Sequence, residues 1–252
     1  MLDCAQFYMN EHWVGDALKK CGVRRDDVFL ASKVWNDTIY AGPEAVKAQV
    51  DKTISELQCG HLDLCLVHWP VPGKHVAAYN ALRECKAAGK VKAIGVSNYC
   101  VEDLEELKAA GGYGTNEADR PALNQFEVNP LLFRRKTIDY CRSEGIHVQA
   151  YRGIMQNPTK AAATVPELQR VCEETGRPAS QVLGRFLVQQ GISHLPKASS
   201  LERMKENSDI FSFQLITRGS PPHDGGRPGR VPAAVHQVHL ARHARGGKCA
   251  AR

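Results

Sequence analysis

The sequence lacks the features of several protein classes. No apolar run approaches the roughly 20 residues that a transmembrane helix needs, so we expect no membrane partner. The first residues, Met-Leu-Asp-Cys-Ala-Gln, include neither the basic nor the apolar segment of a secretory signal, so a cytoplasmic protein is expected. The sequence also has no G-x-G-x-x-G loop and no Walker sequence, so neither a Rossmann nor a P-loop mode of nucleotide binding is supported.

The cysteine pattern argues against disulfides and against a metal centre. There are nine cysteines, an odd number, with no C-x-x-C pair and no spacing typical of a metal site. Reduced and mostly buried thiols in a cytosolic protein are therefore expected, with no metal. No serine or cysteine with an adjacent base stands out as a nucleophile either.

The first 217 residues carry no net charge. Six arginines, one lysine and one aspartate from Arg218 onward account for the whole net charge of +6. This stretch is rich in Gly, Pro, Arg and His and has no periodicity. We therefore interpret 1–217 as the folded domain and 218–252 as a basic, disordered tail with no nucleic-acid partner. A nucleic-acid-binding arm and a histidine metal site are the alternatives for the tail.

Short apolar runs alternate with helical patterns through the first 215 residues. Strands are predicted at 2–6, 28–35, 62–69, 93–98, 122–129, 147–151 and 194–197. Helices are predicted at 10–21, 43–58, 75–88, 102–110, 135–144, 164–175, 179–190 and 201–210. This alternation predicts a parallel sheet with right-handed crossovers, either doubly wound or a (β/α) barrel. The number of repeats favours a barrel, although a barrel needs eight strands and seven are found.

Polar side chains collect at the ends of the first three predicted strands. Asp3 lies in the first strand, Lys33 near the end of the second and His68 at the end of the third. Tyr8 follows Asp3 by five residues. The carboxyl ends of parallel strands share one edge of a sheet, where α/β proteins bind ligands. A buried lysine needs a partner, and we predict that Asp3 supplies it; a lysine that reaches solvent along its own stem is the alternative.

These four side chains predict general-acid chemistry on a carbonyl group. An ammonium beside a phenol favours the phenolate, and a carboxylate holds that ammonium charged and in place. Tyr8 would then donate a proton to an oxygen atom near neutral pH. His68 would orient that oxygen or share the proton.

The later predicted strands end in residues suited to a cofactor. Ser97 and Asn98 end one strand with short hydrogen-bonding side chains. Gln125 lies inside an apolar strand, where a ligand carboxamide or an internal amide bridge would satisfy it. Tyr151 ends the next strand, where it would stack on a flat ring or pack as an ordinary core residue.

A basic helix start follows the last predicted strand. Ser199 and Glu202 are predicted to form an S-x-x-E capping box, with Lys197 before it and Arg203 within the first turn. A helix N-terminus with lysine and arginine binds anions, and its place after the final strand matches the phosphate site common in barrel enzymes. A solvated basic helix start is the alternative.

Six motifs give the chain a resemblance to the aldo-keto reductases over roughly residues 2 to 215. They are Leu-Asp-Cys-Ala-Gln-Phe-Tyr-Met-Asn-Glu (2–11), Ser-Lys-Val-Trp-Asn (32–36), Asp-Leu-Cys-Leu-Val-His-Trp-Pro (63–70), Gly-Lys-Val-Lys-Ala-Ile-Gly-Val-Ser-Asn (89–98), Asn-Gln-Phe-Glu-Val-Asn-Pro (124–130) and Pro-Lys-Ala-Ser-Ser-Leu-Glu-Arg-Met-Lys-Glu-Asn (196–207). The resemblance implies a (β/α)8 TIM barrel that is incomplete, with the first strand missing and seven strands expected. It also implies a monomeric enzyme that reduces aldehydes or ketones to alcohols with NADPH.

The resemblance further implies roles for individual residues. The implied catalytic residues are Asp3, Tyr8, Lys33 and His68. The implied cofactor-binding residues are Ser97, Asn98, Gln125, Tyr151, Lys197, Ser199, Arg203, Glu206 and Asn207. The first three of these would contact the nicotinamide amide, Tyr151 would contact the nicotinamide ring, Lys197 and Arg203 would bind the 2′-phosphate, and the last two would contact the adenine. Trp35 and Trp69 would line the substrate pocket.

The sequence departs from the family pattern at four points. The motifs begin after the family's N-terminal hairpin, first strand and first helix. Arg-Gly-Ile-Met follows Tyr151 in place of Ser-Pro-Leu-Gly, and Ala198 stands where serine is usual. The basic tail replaces the family's C-terminal segment. These departures motivate a second hypothesis: a catalytically impaired fragment, or a cofactor-sensing interaction module that retains the fold.

Overall fold

The computed structural model of the protein describes residues 1–113, 116–217 and 229–231. Seven parallel strands form one sheet in which the strand order follows the chain. The strands are β1 (Leu2–Asp3), β2 (Leu30–Val34), β3 (Leu62–Val67), β4 (Val91–Ser97), β5 (Leu123–Glu127), β6 (His147–Tyr151) and β7 (Ser193–Leu195). A second sheet pairs β8 (Leu215–Thr217) with β9 (Gly229–Val231) in parallel.

Helices connect successive strands, as the sequence predicts. Within the described residues they are α1 (Glu11–Cys21), α2 (Asn36–Ala41), α3 (Pro43–Leu57), α4 (His75–Ala87), α5 (Val101–Ala109), α6 (Arg135–Ser143), α7 (Pro158–Thr164), α8 (Pro166–Thr175), α9 (Ala179–Gln189) and α10 (Leu201–Ser208). All seven predicted strands and all eight predicted helices are present, with ends displaced by a few residues.

Among the described residues, two helices, three 3-10 turns and the strands β8 and β9 were not predicted. The helices are α2 and α7, which have six and seven residues and are too short to show an apolar period. The first strand ends at Asp3, so its predicted end at residue 6 was wrong, because Gln6–Tyr8 form a 3-10 turn instead. The predicted tail, 218–252, lies outside the described residues except for the three residues of β9.

The chain divides into two compact units, each described by itself. Unit 1 comprises Met1–Gln125 and Lys136–His147, and unit 2 comprises Phe126–Arg135 and Val148–Arg252. Unit 1 contains β1 to β4 and most of β5, and every residue of β3 is buried. A continuous apolar strand of this kind is typical of a parallel sheet covered on both faces.

The core of unit 1 joins apolar residues from three strands. Its buried cluster consists of Ala31, Leu64, Leu66 and Leu123. Gly95 on β4 permits the close approach, since a Cβ there would lie 2.5 Å from the carbonyl oxygen of Leu123. The register then pairs Ser97, at the carboxyl end of β4, with Gln125, in the middle of β5.

A buried carboxylate anchors the start of β2. Asp63 on β3 accepts hydrogen bonds from the Leu30 backbone N–H at 2.9 Å and from Arg25 Nη2 at 2.7 Å. Burial alone would raise the pKa of Asp63, but the hydrogen bonds from Leu30, Arg25 and Lys92 outweigh it and lower that pKa. The strand that carries Lys33 is therefore tied to β3 at its start.

Three further findings concern membrane helices, thiols and metal ligands in the described part of the chain. None of its helices combines the length and the apolar character needed to cross a membrane. Its eight cysteines are all free thiols, five of them buried. Within the same residues, no group of three or more His, Cys, Asp or Glu side chains is arranged to hold a metal ion.

Candidate active site

Lys33 and Asp3 form a buried ion pair at the carboxyl end of β2. Lys33 is only 1% exposed, and its Nζ donates to Asp3 Oδ2 at 2.5 Å and to the carbonyl oxygen of Cys4 at 3.0 Å. The predicted pairing is confirmed, and the alternative of a lysine that reaches solvent is wrong. The carboxylate compensates the cost of burying the ammonium.

Tyr8 lies above this ammonium on the turn Gln6–Tyr8. The Lys33 Nζ is 5.1 Å from the centre of the Tyr8 ring, and the phenol is 46% exposed. The His68 ring lies 6.3 Å from the Tyr8 ring, centre to centre, at an angle of 90°. The structure therefore brings the four predicted catalytic residues into one cluster, with the phenol facing solvent and the ammonium beneath it.

His68 is a neutral imidazole in this cluster. Its side chain is buried, and its Nδ1 has no hydrogen-bond partner among the described residues. Burial, and then the neighbouring Lys33 charge, lower the pKa of His68 to about 3. A neutral imidazole can donate a hydrogen bond to a ligand oxygen and accept one in return.

His68 is expected to make the fold less stable in acid. Its folded pKa of about 3 lies below its ordinary value of 6.5, so the unfolded chain binds the proton first as the pH falls. The stabilising contribution is complete above about pH 6.5 and declines from there towards pH 3. Between pH 7 and pH 5 the expected loss is about 2 kcal/mol in the free energy of unfolding.

Denaturant unfolding at pH 7 and pH 5 measures this loss. The control is His68→Gln, which retains a polar side chain but cannot titrate, and it should lose about 2 kcal/mol less than the wild type over this interval. Equal losses in the two proteins would contradict the assignment.

Aromatic rings lie next to the exposed phenol. The Trp35 ring lies 4.1 Å from the Phe7 ring and 4.9 Å from the His68 ring, centre to centre. Trp69, the second predicted substrate-pocket residue, directly follows His68 and is half-buried. Phe7 was missed by the sequence analysis, although a large apolar residue directly before the tyrosine was a usable signal. These rings offer an apolar surface beside the proton-bearing groups.

The predicted amide-binding residues form a hydrogen-bonded network between the end of β4 and the middle of β5. Ser97 Oγ donates to the Gln125 carbonyl oxygen at 2.8 Å, and Asn98 Nδ2 donates to the His68 carbonyl oxygen at 3.1 Å. Asn98 has a left-handed backbone with φ of 64°, a conformation that asparagine tolerates better than most residues. The network fixes these side chains next to the catalytic cluster.

Gln125 has an internal partner in the catalytic cluster. Its Nε2 donates to Asp3 Oδ1 at 3.0 Å, so Asp3 receives Gln125 on one oxygen and Lys33 on the other. An internal bridge was one of the two alternatives raised for this buried amide. A ligand carboxamide that binds Gln125 would therefore share or replace the bond to Asp3.

Unit 2 contains a polar cavity of about 640 Å³ near the start of α10. Five of the predicted cofactor-binding residues line it, namely Lys197, Ser199, Arg203, Glu206 and Asn207. Tyr151 is half-buried at the end of β6 and directly precedes another lining residue, Arg152. The structure thus brings together residues that lie on either side of the start of α10.

The predicted capping box of Ser199 and Glu202 is wrong, because the N-cap lies one residue later in the chain. The helix begins at Leu201, and its N-cap is Ser200, whose Oγ accepts from the Arg203 backbone N–H at 3.3 Å. Ser199 is exposed and lines the cavity instead. Two consecutive serines precede the helix, and the sequence pattern did not distinguish which of them is the cap.

Positive charge dominates the cavity of unit 2. Its lining includes Arg152, Lys197 and Arg203 against one carboxylate, Glu206, which accepts a hydrogen bond from Ser180 Oγ. Arg152 was noted in the sequence only as a departure from the family pattern, and its position directly after a strand was the available signal. Its Nη1 lies 3.5 Å from Glu127 Oε2, a loose pairing. Such a donor set fits a phosphate group of a dinucleotide.

In unit 1, an ion pair and a tyrosine lie at the carboxyl edge of a parallel sheet, the edge at which enzymes of the α/β barrel class place their active sites. A family model described as Aldo/keto reductase family matches residues 1–218, and the chain belongs to this family. The resemblance found in the sequence is therefore confirmed, as is the (β/α)8 barrel fold class with seven strands present.

Two similar proteins and one solved structure, all named as reductases, support this assignment. The chain is 36% identical to "Glyoxal reductase" of Bacillus subtilis over 215 residues, which are 85% of this chain and 74% of that protein. It is 31% identical over 271 residues to "Aldo-keto reductase family 1 member C21" of Mus musculus, covering 94% of this chain and 82% of the other. An aldo-keto reductase from a Medee basin deep-sea metagenome library superposes with a TM-score of 0.77 at 29% identity, over 84% of this chain and 76% of that one. The protein is an oxidoreductase of aldehydes or ketones.

Proposed function

We propose that this chain reduces aldehydes or ketones to alcohols with NADPH, and that Tyr8 donates the proton. The observation that carries the proposal is the Lys33 ammonium, bonded to Asp3 at 2.5 Å and lying 5.1 Å from the centre of the Tyr8 ring. When bound, NADPH supplies the hydride. The residues of the cluster manage the proton that must reach the carbonyl oxygen.

Each member of the cluster has a separate task in this proposal. The Tyr8 hydroxyl donates its proton to the substrate oxygen, which becomes the alcohol oxygen. The Lys33 ammonium stabilises the phenolate that remains, and Asp3 holds the ammonium in place. The neutral His68 orients the substrate oxygen by a hydrogen bond. A positioned general acid of this kind accelerates a reaction by about 10²–10⁴-fold.

Three polar side chains of unit 1, those of Ser97, Asn98 and Gln125, are proposed to bind the nicotinamide carboxamide. Ser97 and Gln125 are 1% and 2% exposed, and Asn98 adjoins them, so the three present hydrogen-bonding groups with little freedom to reorient. Gln125 would exchange its bond to Asp3 for one to the ligand. Tyr151 would stack on the nicotinamide ring. Trp35 and Trp69 would form the apolar wall that accepts a small carbonyl substrate.

The cavity of unit 2 is proposed to bind the adenosine phosphate end of NADPH. Lys197, Arg203 and Ser199 would hold the 2′-phosphate, since two cations and a hydroxyl complement a dianion. Glu206 and Asn207 would contact the adenine. The excess of positive charge in the lining supports this assignment.

The test is aldehyde-dependent oxidation of NADPH by the purified chain, with NADH in parallel. Turnover of simple aliphatic or aromatic aldehydes, with NADPH preferred, is expected. A fluorescence titration with each nucleotide separates binding from chemistry. NADPH binding without turnover would instead support the cofactor-sensing module, and a cooperatively folded chain that binds neither nucleotide would contradict both.

A further inference from the structure

The turn that carries Tyr8 has little support from the core. None of the residues in Gln6–Tyr8 is buried, and Phe7 and Tyr8 are about half exposed. The preceding strand, β1, has only two residues. The position of the phenol therefore depends on side-chain contacts made by the turn itself.

Gln6 makes two of these contacts with a single amide group. Its Oε1 accepts from the Trp35 backbone N–H at 2.8 Å, and its Nε2 donates to Thr38 Oγ1 at 2.8 Å. Both partners lie at the start of α2, and Trp35 follows Lys33 by two residues. Because the donor and the acceptor of the amide are both used, Gln6 fixes the orientation of the turn relative to the end of β2.

We propose that Gln6 is a positioning residue that holds the Tyr8 hydroxyl in its productive place relative to Lys33 and the substrate wall at Trp35. This inference rests on the proposed role of Tyr8 as proton donor. Proton transfer depends steeply on distance, and a displacement of about 1 Å can cost roughly 10²-fold in rate. Gln6 acts on the proton step, while the residues proposed to bind the nicotinamide amide lie at the end of β4 and within β5.

The main variant is Gln6→Met, which keeps the side-chain volume and removes both hydrogen bonds. We expect kcat to fall about 10- to 100-fold. The dissociation constant of NADPH should stay within about twofold, and the solvent deuterium isotope effect on kcat should rise because proton transfer becomes more rate-limiting. The control is Gln169→Met on α8, which removes an exposed hydrogen bond of 2.9 Å from the Gln169 side-chain amide to Glu173. It should change none of the three quantities.

The isotope effect separates positioning from a loss of folded protein. Fewer folded molecules would lower the apparent kcat and leave the isotope effect unchanged, and this result would overturn the inference. A Gln6→Met enzyme with kcat within twofold of the wild type would overturn it as well.

Thr38 provides a second, milder variant. Thr38→Val removes one of the two hydrogen bonds of Gln6 and should lower kcat less than Gln6→Met does. Thr38→Ser keeps the hydroxyl, so its kcat should equal that of the wild type. In the double variant Gln6→Met/Thr38→Val, kcat should be no lower than with Gln6→Met alone, because the shared bond is already lost. Additive losses would contradict the coupling.

Measuring Tyr8→Phe in parallel separates the proposed role of Tyr8 as proton donor from the proposed positioning role of Gln6. If Tyr8→Phe lowers kcat and Gln6→Met does not, the inference about Gln6 alone is overturned. If Tyr8→Phe leaves kcat unchanged, the proposed function and the inference fall together.

Discussion

Replacing Tyr8 with phenylalanine is expected to lower kcat about 10²–10⁴-fold, the range that a lost general acid costs. The change removes one oxygen atom and keeps the ring that lies 5.1 Å from the Lys33 ammonium. The side chain is 46% exposed, so little core packing is disturbed. The loss should therefore appear in the chemical step, with the dissociation constant of NADPH nearly unchanged.

Steady-state kinetics with a simple aldehyde and a nucleotide titration measure both quantities. The matched control is Tyr140→Phe on α6, which removes the same oxygen from a half-buried tyrosine outside the catalytic cluster. Undiminished turnover by Tyr8→Phe would remove Tyr8 from its proposed role. A similar loss in both variants would indicate a general effect on the fold.

Replacing Lys197 and Arg203 together with methionine is expected to weaken NADPH binding about 10²- to 10⁴-fold and to leave NADH binding nearly unchanged. Each cation would lose a charge-assisted bond to the 2′-phosphate, worth about 1.5–3 kcal/mol. NADH has no such phosphate. Arg152 remains in the cavity lining, so binding of the shared part of the two nucleotides should persist.

Fluorescence titrations with the two nucleotides give the ratio of dissociation constants directly. The control is Lys205→Met, which removes an exposed cation from the same helix. Equal weakening of NADH and NADPH would point to a disturbed α10 and not to phosphate recognition. An unchanged ratio would exclude these two residues as the source of any preference.

The sequence was sufficient for the fold class and for the grouping of Asp3, Tyr8, Lys33 and His68 in one cluster. Apolar runs and helical periods alternate regularly, and this alternation alone implies a parallel sheet. Since parallel strands end at one edge, Asp3, Lys33 and His68 could be grouped without coordinates. The ion pair of Asp3 and Lys33 followed from the cost of burying an unpaired lysine.

The contacts that could not be predicted from the sequence join elements that are far apart along the chain. Gln125 and Asp3 are 122 positions apart, and no local pattern indicates that their side chains meet. The bond between Gln6 and Thr38 spans 32 positions and ends in a helix too short to show a period. At Ser199 and Ser200 the difficulty was local, since either serine satisfies the chemistry of a cap.

The carboxylate of the cluster is carried by a very short strand. β1 has two residues, and its ends are held to the neighbouring chain by the bonds from Leu2 N–H to Phe29 O and from Cys4 N–H to Ala31 O. Segments with so few backbone bonds open at lower free energy than a fully buried strand such as β3. Fraying of β1 alone would draw Asp3 away from Lys33 while the rest of the core stays intact. If Asp3 has its proposed role, turnover should therefore be lost at a lower temperature and a lower denaturant concentration than those that unfold the core.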